Sequence, residues 1–324
     1  MPYFQVAVGL ILLVFAGEYL VRGAVAIAQR MGISTLVIGL TVVAFGTSAP
    51  ELVVGVNAVL AGAPELALGN VVGSNIANIL LVLGLPALFL PISFGADRLG
   101  RNFIIMVGAT AIFMGMAHAG AFRWPQGAIL LSLLVSFLVY SGKYSQEHPE
   151  EIVEIDEIED EIEHPTSPTL SIVMIIGGLI GLVYGADLLV DGAVVIARSW
   201  GVSEAVIGLT LVALGTSLPE LVTALVAAYR GHSDVAVGGV IGSNIFNLLG
   251  IIGVSSIVGK IPVPDSFLQV DLWVMLATTL AIAPFCQLKS QIGRIAGVCL
   301  LSSYGLYLFY VTSEPESIAL LMGG

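Results

Sequence analysis

Charge is scarce in this sequence. Only 10% of its 324 residues are Asp, Glu, Lys or Arg, against about 25% in an average soluble domain. Hydrophobic residues make up 57% of the chain, and its mean hydropathy is +1.01. That balance excludes a water-soluble fold. The 11 Lys and Arg residues are scattered, which excludes the basic patch of a nucleic-acid partner. The four histidines, His118, His148, His164 and His232, fall in connections and share no metal-ligand spacing. The two cysteines, Cys286 and Cys299, lie in separate apolar segments and read as free buried thiols. No nucleophile stands beside an evident base, so an enzyme is disfavoured, and nothing calls for a cofactor.

What charge there is has been concentrated. Ten acids (Glu147, Glu150, Glu151, Glu154, Asp156, Glu157, Glu159, Asp160, Glu161 and Glu163) lie in one connector, and without them the net charge of −12 falls to −2. Within it Ile152, Ile155, Ile158 and Ile162 recur at helical spacing, predicting a short amphipathic helix. A solvated linker is the simpler role for it than calcium sensing, because carboxylates along a helix do not by themselves form an oxygen cage.

The remainder divides into long apolar segments. About 20 apolar residues cross a bilayer as a helix, and ten such spans are expected: 3–29, 35–61, 64–90, 100–117, 124–142, 169–198, 203–229, 234–259, 268–286 and 292–311. The first lacks the basic flank of a signal peptide and is too long for one, so it is read as a retained span. The fold class is therefore an all-α, multi-pass membrane protein whose partner is the lipid bilayer.

The two halves repeat. Glu51 and Glu220 are 169 residues apart, and the same offset superposes Ile38-Gly39-Leu40-Thr41 on Ile207-Gly208-Leu209-Thr210 and Gly73-Ser74-Asn75-Ile76 on Gly242-Ser243-Asn244-Ile245. Asn78 falls on Asn247, and Gly23-Ala24 on Gly192-Ala193. With five spans per half, an odd number, the second half is expected to enter from the opposite face, as in inverted-repeat secondary transporters. The expected division is 1–142 for the first repeat, 143–168 for the acidic linker, 169–311 for the second repeat and 312–324 for a short tail. Arg123, Arg198 and Lys260 flank the spans on the side of the N-terminus, while Arg30, Arg98, Arg101, Lys143, Arg230, Lys289 and Arg294 flank the other. The excess places both termini outside the cell and the acidic linker in the cytoplasm.

The chemistry concentrates in Gly46-Thr47-Ser48-Ala49-Pro50-Glu51 and its copy Gly215-Thr216-Ser217-Leu218-Pro219-Glu220. An ionisable group in the membrane interior is costly and marks a functional pathway by default. Pro50 and Pro219 lack an N–H, so they loosen the helix one turn upstream and free backbone carbonyls near Phe45 and Gly46, or Leu214 and Gly215. Thr47 and Ser48 precede Glu51 by four and three residues, as Thr216 and Ser217 precede Glu220, so hydroxyl and carboxylate oxygens share a face. Ser74 with Asn78, and Ser243 with Asn247, are likewise four apart in the following spans. Such an all-oxygen set suits hard cations such as calcium or sodium. Elsewhere Glu18 precedes Arg22 by four residues and reads as an interhelical or interfacial pair. Asp187 and Asp191 occupy the corresponding positions of the second half, the latter with reversed charge. Glu65, Asp97, Asp234, Asp265 and Asp271 lie near span ends and read as solvated.

Gly-Thr-Ser-x-Pro-Glu followed by Gly-Ser-Asn-Ile-x-Asn, present twice, resembles the alpha repeats of the sodium/calcium exchangers in the calcium/cation antiporter superfamily. The resemblance covers all ten spans and implies broken helices at the midplane around a group of cation sites, one for calcium and the others for sodium. It implies Glu51 and Glu220 as central ligands shared by both ions. It adds hydroxyl or backbone oxygens from Thr47, Ser48, Thr216 and Ser217, the carbonyls of Ala44 and Ala213, and the side chains of Ser74, Ser243, Asn78 and Asn247. Some relatives carry aspartate where this chain has Asn247, so the site holds two formal negatives here. The implied activity is antiport of sodium against calcium by alternating access, with spans one and six sliding against the rest and one copy of the chain sufficing. If the family's three-for-one stoichiometry applies, the cycle is electrogenic. Potassium-dependent or proton-coupled calcium exchange is the near alternative, although the proton-coupled branch places Gly-Asn-Ala before its acid. A cation channel, or a scaffold that retains the fold, are alternatives of a different class.

Overall fold

The computed structural model describes residues 2–94, 97–147, 167–200 and 213–313. Most of the linker, the start of span seven and the tail lie outside the described residues, and with them the predicted amphipathic helix and the Ile207–Thr210 copy. The first half contains α1 (Pro2–Met31), α2 (Thr35–Ile38), a π-helical turn over Gly39–Val43, α3 (Ala44–Thr47) and α4 (Ala49–Leu60). It continues through α5 (Pro64–Ala77), a π turn over Asn78–Val82, α6 (Gly84–Ala87), β1 (Ile92–Ser93), α7 (Asp97–Ala117), β2 (Ala121–Phe122) and α8 (Trp124–Glu147). The second half contains α9 (Pro168–Ser199), α10 (Ala213–Thr216), α11 (Leu218–Tyr229), α12 (Ser233–Ile245), a π turn over Phe246–Ile251, and α13 (Ile252–Val258). It ends with β3 (Ile261–Pro262), a π turn over Phe267–Asp271, α14 (Leu272–Ala281), α15 (Ala283–Leu288), β4 (Gln291–Ile292) and α16 (Arg294–Ser313).

Among the described residues, eight helices are long and apolar enough to cross a membrane, and a ninth span is the pair Thr35–Thr47 and Ala49–Leu60, bent by 44°. Leu218–Tyr229 is a shorter apolar helix. The protein is thus a helical multi-pass membrane protein. The spans Pro64–Ala87 and Ser233–Val258 are 72% and 94% buried, against 11% for Arg294–Val311, so the former two form the centre and the last lies at the periphery.

Lipid offers apolar side chains no reason to desert it for one another, so close backbone approach must hold the helices together. Small residues provide it. The long helices α1 and α9 run antiparallel, and a Cβ on Gly9 would lie 2.7 Å from the Leu189 nitrogen and 2.8 Å from the Gly185 carbonyl oxygen. Across the halves, a Cβ on Gly242 of α12 would lie 2.4 Å from the Leu40 carbonyl oxygen. Short ladders at the ends also join the halves: Ile92 and Ser93 of β1 pair with β4, and Ala121 and Phe122 of β2 pair with β3. β1 and β3 are 169 residues apart and β2 and β4 are 170 apart, so the pairing is reciprocal.

The two cysteines depart from expectation in part. Cys286 is buried, but Cys299 is exposed on α16. An apolar neighbourhood in sequence signals burial only where water is the alternative; on a peripheral membrane helix the apolar face meets lipid. Two acids read as solvated also have partners: Asp234 accepts a hydrogen bond from Thr35, and Asp271 accepts one from Tyr307 at 3.2 Å.

Candidate cation site

The site begins with two breaks of the same shape. Ser48 ends α3 and precedes α4 with φ −86° and ψ 9°; Ser217 stands between α10 and α11 with φ −88° and ψ 2°. Both lie in the sparsely populated bridge region. The proline two residues on cannot donate to the preceding turn, and it occupies the first turn of the new helix, where a missing N–H costs nothing. Glu51 and Glu220 therefore fall in the first turns of α4 and α11. There the exposed N–H groups of the helix start favour negative charge. In the first half the Thr47 hydroxyl donates to the Val43 carbonyl at 3.1 Å and reaches the Ala44 carbonyl at 3.4 Å, repairing the broken turn.

Both carboxylates are buried, Glu51 at 1% and Glu220 at 5% exposure. Each is served by hydroxyls of the opposite half. Ser48 donates to Oε1 of Glu220 at 2.8 Å, and Thr216 bonds to Glu51. Among the described residues, the second oxygen of each, Oε2, has no hydrogen-bond partner, and neither has Oδ1 of Asn78 or of Asn247. Four buried oxygens, two from each half and all able only to accept, are thus left without donors. Buried polar atoms in native proteins are almost always paired, and an ion is one of the few things that can account for such a set.

The residues singled out by sequence meet here unequally. Thr47, Ser48, Ser217, Ser74, Ser243, Asn78 and Asn247 are all buried, while Thr216 is half-buried. The Ala44 carbonyl already accepts from the Ser48 N–H at 3.1 Å and the Ser243 hydroxyl at 3.5 Å. Ala213 opens α10. The π turns contribute directly: one begins at Asn78, and another spans Asn247. Such turns widen a helix locally and tend to mark functional positions. A small pocket reaches Thr47 and Glu220 and is lined also by Thr223, Val235 and Gly239.

Sequence reasoning missed several neighbours. Asn75 and Asn244 bond to Asn247 and Asn78, and their place inside the repeated Gly-Ser-Asn motif was the available signal. Asn70 donates to the backbone carbonyl of Glu51 at 3.3 Å, and Thr223 to that of Pro219 at 2.7 Å. Their repeat counterparts are Gly239 and Val54, so no periodicity pointed to them. The Glu18–Arg22 pair forms, and Glu18 is also gripped by Arg230 at the end of α11, whose Nε lies 3.0 Å from Oε2. Asp187 and Asp191 are exposed on α9.

A buried cluster of acceptor oxygens between broken helices belongs to membrane proteins that carry cations. This chain is a member of the sodium/calcium exchanger family: the family described as sodium/calcium exchanger protein matches residues 1–143 and 170–313. The chain is 38% identical to the putative antiporter CaxA of Alkalimonas amylolytica, covering 95% of this chain and 98% of that one. It is 33% identical to the sodium/calcium exchanger MaX1 of Methanosarcina acetivorans over 94% of this chain and 97% of the relative. The solved structure of the sodium-calcium exchanger NCX_Mj, soaked with sodium and calcium, superposes with a TM-score of 0.82 at 35% identity, covering 95% of this chain and 97% of that one. The family is one of transporters rather than enzymes, and its members move cations by antiport.

Proposed function

We propose that this protein exchanges sodium for calcium across the cell membrane by alternating access, with Glu51 and Glu220 as ligands shared by the two ions. The observation that carries the proposal is the set of four donor-less buried oxygens, Glu51 Oε2, Glu220 Oε2, Asn78 Oδ1 and Asn247 Oδ1. Two carboxylates balance one calcium. Three sodium ions in their place leave one positive charge, so a three-for-one cycle is electrogenic. Hydroxyls of Thr47, Ser48, Thr216, Ser217, Ser74 and Ser243, with the carbonyls of Ala44 and Ala213, supply the neutral oxygens that hard cations accept in place of water. Sharing the two glutamates makes sodium and calcium competitors, and competition is what couples their fluxes.

The architecture we infer is ten spans in two inverted repeats, residues 1–142 and 169–311, with a cytoplasmic acidic linker over 143–168, a short tail from 312 and both termini outside. The reciprocal strand pairing and the matched breaks at Ser48 and Ser217 support it. One copy of the chain contains every residue the mechanism uses.

The test is uptake of radiolabelled calcium into sodium-loaded proteoliposomes, with and without an outward sodium gradient. Uptake that requires internal sodium is expected. Equal uptake without sodium would reject exchange and point to a channel. Clamping the potential with potassium and valinomycin tests electrogenicity, since indifference to voltage would reject it. A potassium-free arm without the ionophore tests for a potassium requirement.

A further inference from the structure

The four asparagines of the two Gly-Ser-Asn-Ile-x-Asn segments form a closed network whose orientation follows from atoms that can act in only one way. Asn75 directs Nδ2 at the backbone carbonyl of Asn244, and Asn244 directs Nδ2 at that of Asn75, both at 3.4 Å. A backbone carbonyl only accepts, so the amide nitrogens of Asn75 and Asn244 must be the groups facing it. Their Oδ1 atoms are then turned the other way. Asn78 meets Oδ1 of Asn244 with its Nδ2 at 3.0 Å, and Asn247 meets Oδ1 of Asn75 with its Nδ2 at 3.1 Å. With their nitrogens so engaged, Asn78 and Asn247 are left with Oδ1 as a free acceptor, and these are two of the four donor-less oxygens. All four side chains are at most 2% exposed, so water cannot substitute for a lost bond at low cost.

We propose that Asn75 and Asn244 are positioning residues: they grip the amide nitrogens of Asn78 and Asn247 across the interface between halves, so that each presents its oxygen, not its nitrogen, to sodium and calcium. This rests on the exchange reading and deepens it. A freely turning amide would spend part of its time with a hydrogen-bond donor toward the cation, where it repels. The clamp also requires a donor at positions 78 and 247. A carboxylate at 247 would set acceptor against acceptor at Asn75 Oδ1, so in this chain the neutral amide is the residue that fits, and the negative charge stays with the two glutamates. Because each grip crosses from one half to the other, orientation of the ligands and docking of the halves are one arrangement.

The test is a double-mutant cycle on calcium binding by the purified full-length protein in detergent, followed by isothermal calorimetry in sodium-free buffer. Asn75→Ala and Asn247→Ala are each expected to weaken calcium binding about tenfold, the worth of one buried hydrogen bond. If Asn75 acts through Asn247, the double variant binds within threefold of Asn247→Ala, and Asn75→Ala likewise adds less than threefold to Asn247→Asp. Asn75→Asp, which in its protonated form keeps both a donor for the Asn244 carbonyl and the acceptor for Asn247 Nδ2, recovers most of the loss caused by Asn75→Ala. Effects that multiply to about a hundredfold, or an Asn75→Ala variant with unchanged affinity, would overturn the proposal. The Asn244 and Asn78 cycle repeats the test from the other half, so a folding failure at Asn75 still leaves a decision. Wild-type protein that neither binds calcium nor exchanges it would reject the transport reading itself; wild-type exchange with independent Asn75 and Asn247 effects would reject the clamp alone.

Discussion

Ser48, at the break in the second span, donates a 2.8 Å hydrogen bond to Glu220, 172 residues away in the other half. The break made by one repeat therefore serves the carboxylate of the other. A hydrogen bond to a charged buried group is worth about 1.5–3 kcal/mol. Ser48→Ala is accordingly expected to lower apparent cation affinity by about tenfold or more while leaving the fold intact, as read by calcium titration of exchange and by thermal melting of the same sample. Unchanged affinity would mean that the hydroxyl does not organise the site.

The two glutamates carry the heavier wager. Glu51→Gln and Glu220→Gln preserve shape but remove charge, and unpairing a buried charged interaction typically costs about 2–5 kcal/mol. Each substitution alone is expected to reduce sodium-dependent calcium uptake to background, since one carboxylate cannot neutralise a divalent ion. Retained exchange in either variant would sink the assignment of a shared site.

Protons should compete at the same place. A proton on Glu51 or Glu220 removes the charge a cation needs, so acidification is expected to raise the KM for calcium while saturating calcium restores the maximal rate. Initial uptake rates across a calcium series at several pH values check this. A maximal rate that falls at constant KM would place the sensitive group elsewhere.

One glycine of the repeated motif is predicted to be far less replaceable than a glycine on the peripheral helix. A Cβ on Gly242 would lie 2.4 Å from the Leu40 carbonyl oxygen and 2.7 Å from its Cα, whereas Gly305 on α16 is exposed and a Cβ there meets none of the described residues within 4 Å. Overpacking against backbone costs about 1–3 kcal/mol. Gly242→Ala should lower the melting temperature and folded yield, and Gly305→Ala should leave both near wild type. Equal tolerance at the two positions would show that α12 can move away from Leu40 at little cost.

The ion pair between α1 and α11 gives a separate prediction about stability. Glu18 is held by Arg22 and Arg230, with the Glu18 and Arg230 side chains 20% and 29% exposed. Removing Arg230 leaves a mostly buried carboxylate with one partner, so Arg230→Ala should destabilise the protein more than the double variant Glu18→Gln/Arg230→Ala does relative to Glu18→Gln. Thermal melts of the four proteins measure the coupling, and additive effects would remove Arg230 from the pair.

Much of this was written in the chain. The breaks at Ser48 and Ser217 could be read from the prolines two residues on, because loss of a backbone donor acts locally wherever it occurs. The central residues Glu51, Glu220, Asn78 and Asn247 were marked by recurrence at one offset. Arg230 could not be paired with Glu18 in advance, since its repeat counterpart is Ala61 and the contact exists only where α11 crosses α1. Asn70 and Thr223 were hidden because their repeat counterparts, Gly239 and Val54, carry no polar side chain, and exposure of Cys299 could not be told from burial because lipid and protein interior are equally apolar.

By itself, then, the sequence determined a membrane protein with two related halves and an oxygen-rich motif bearing one carboxylate in each. Those are consequences of composition, periodicity and the missing proline N–H, and they need no long-range contact. Tertiary structure decided which oxygens remain free. Hydrogen bonds across the halves occupy the Asn78 and Asn247 nitrogens and one oxygen of Glu220, and what they leave over, one oxygen on each of four residues, is available to a cation. Hydrogen-bond valence is used up pair by pair, and the pairs here join residues about 170 positions apart, which only folding brings together.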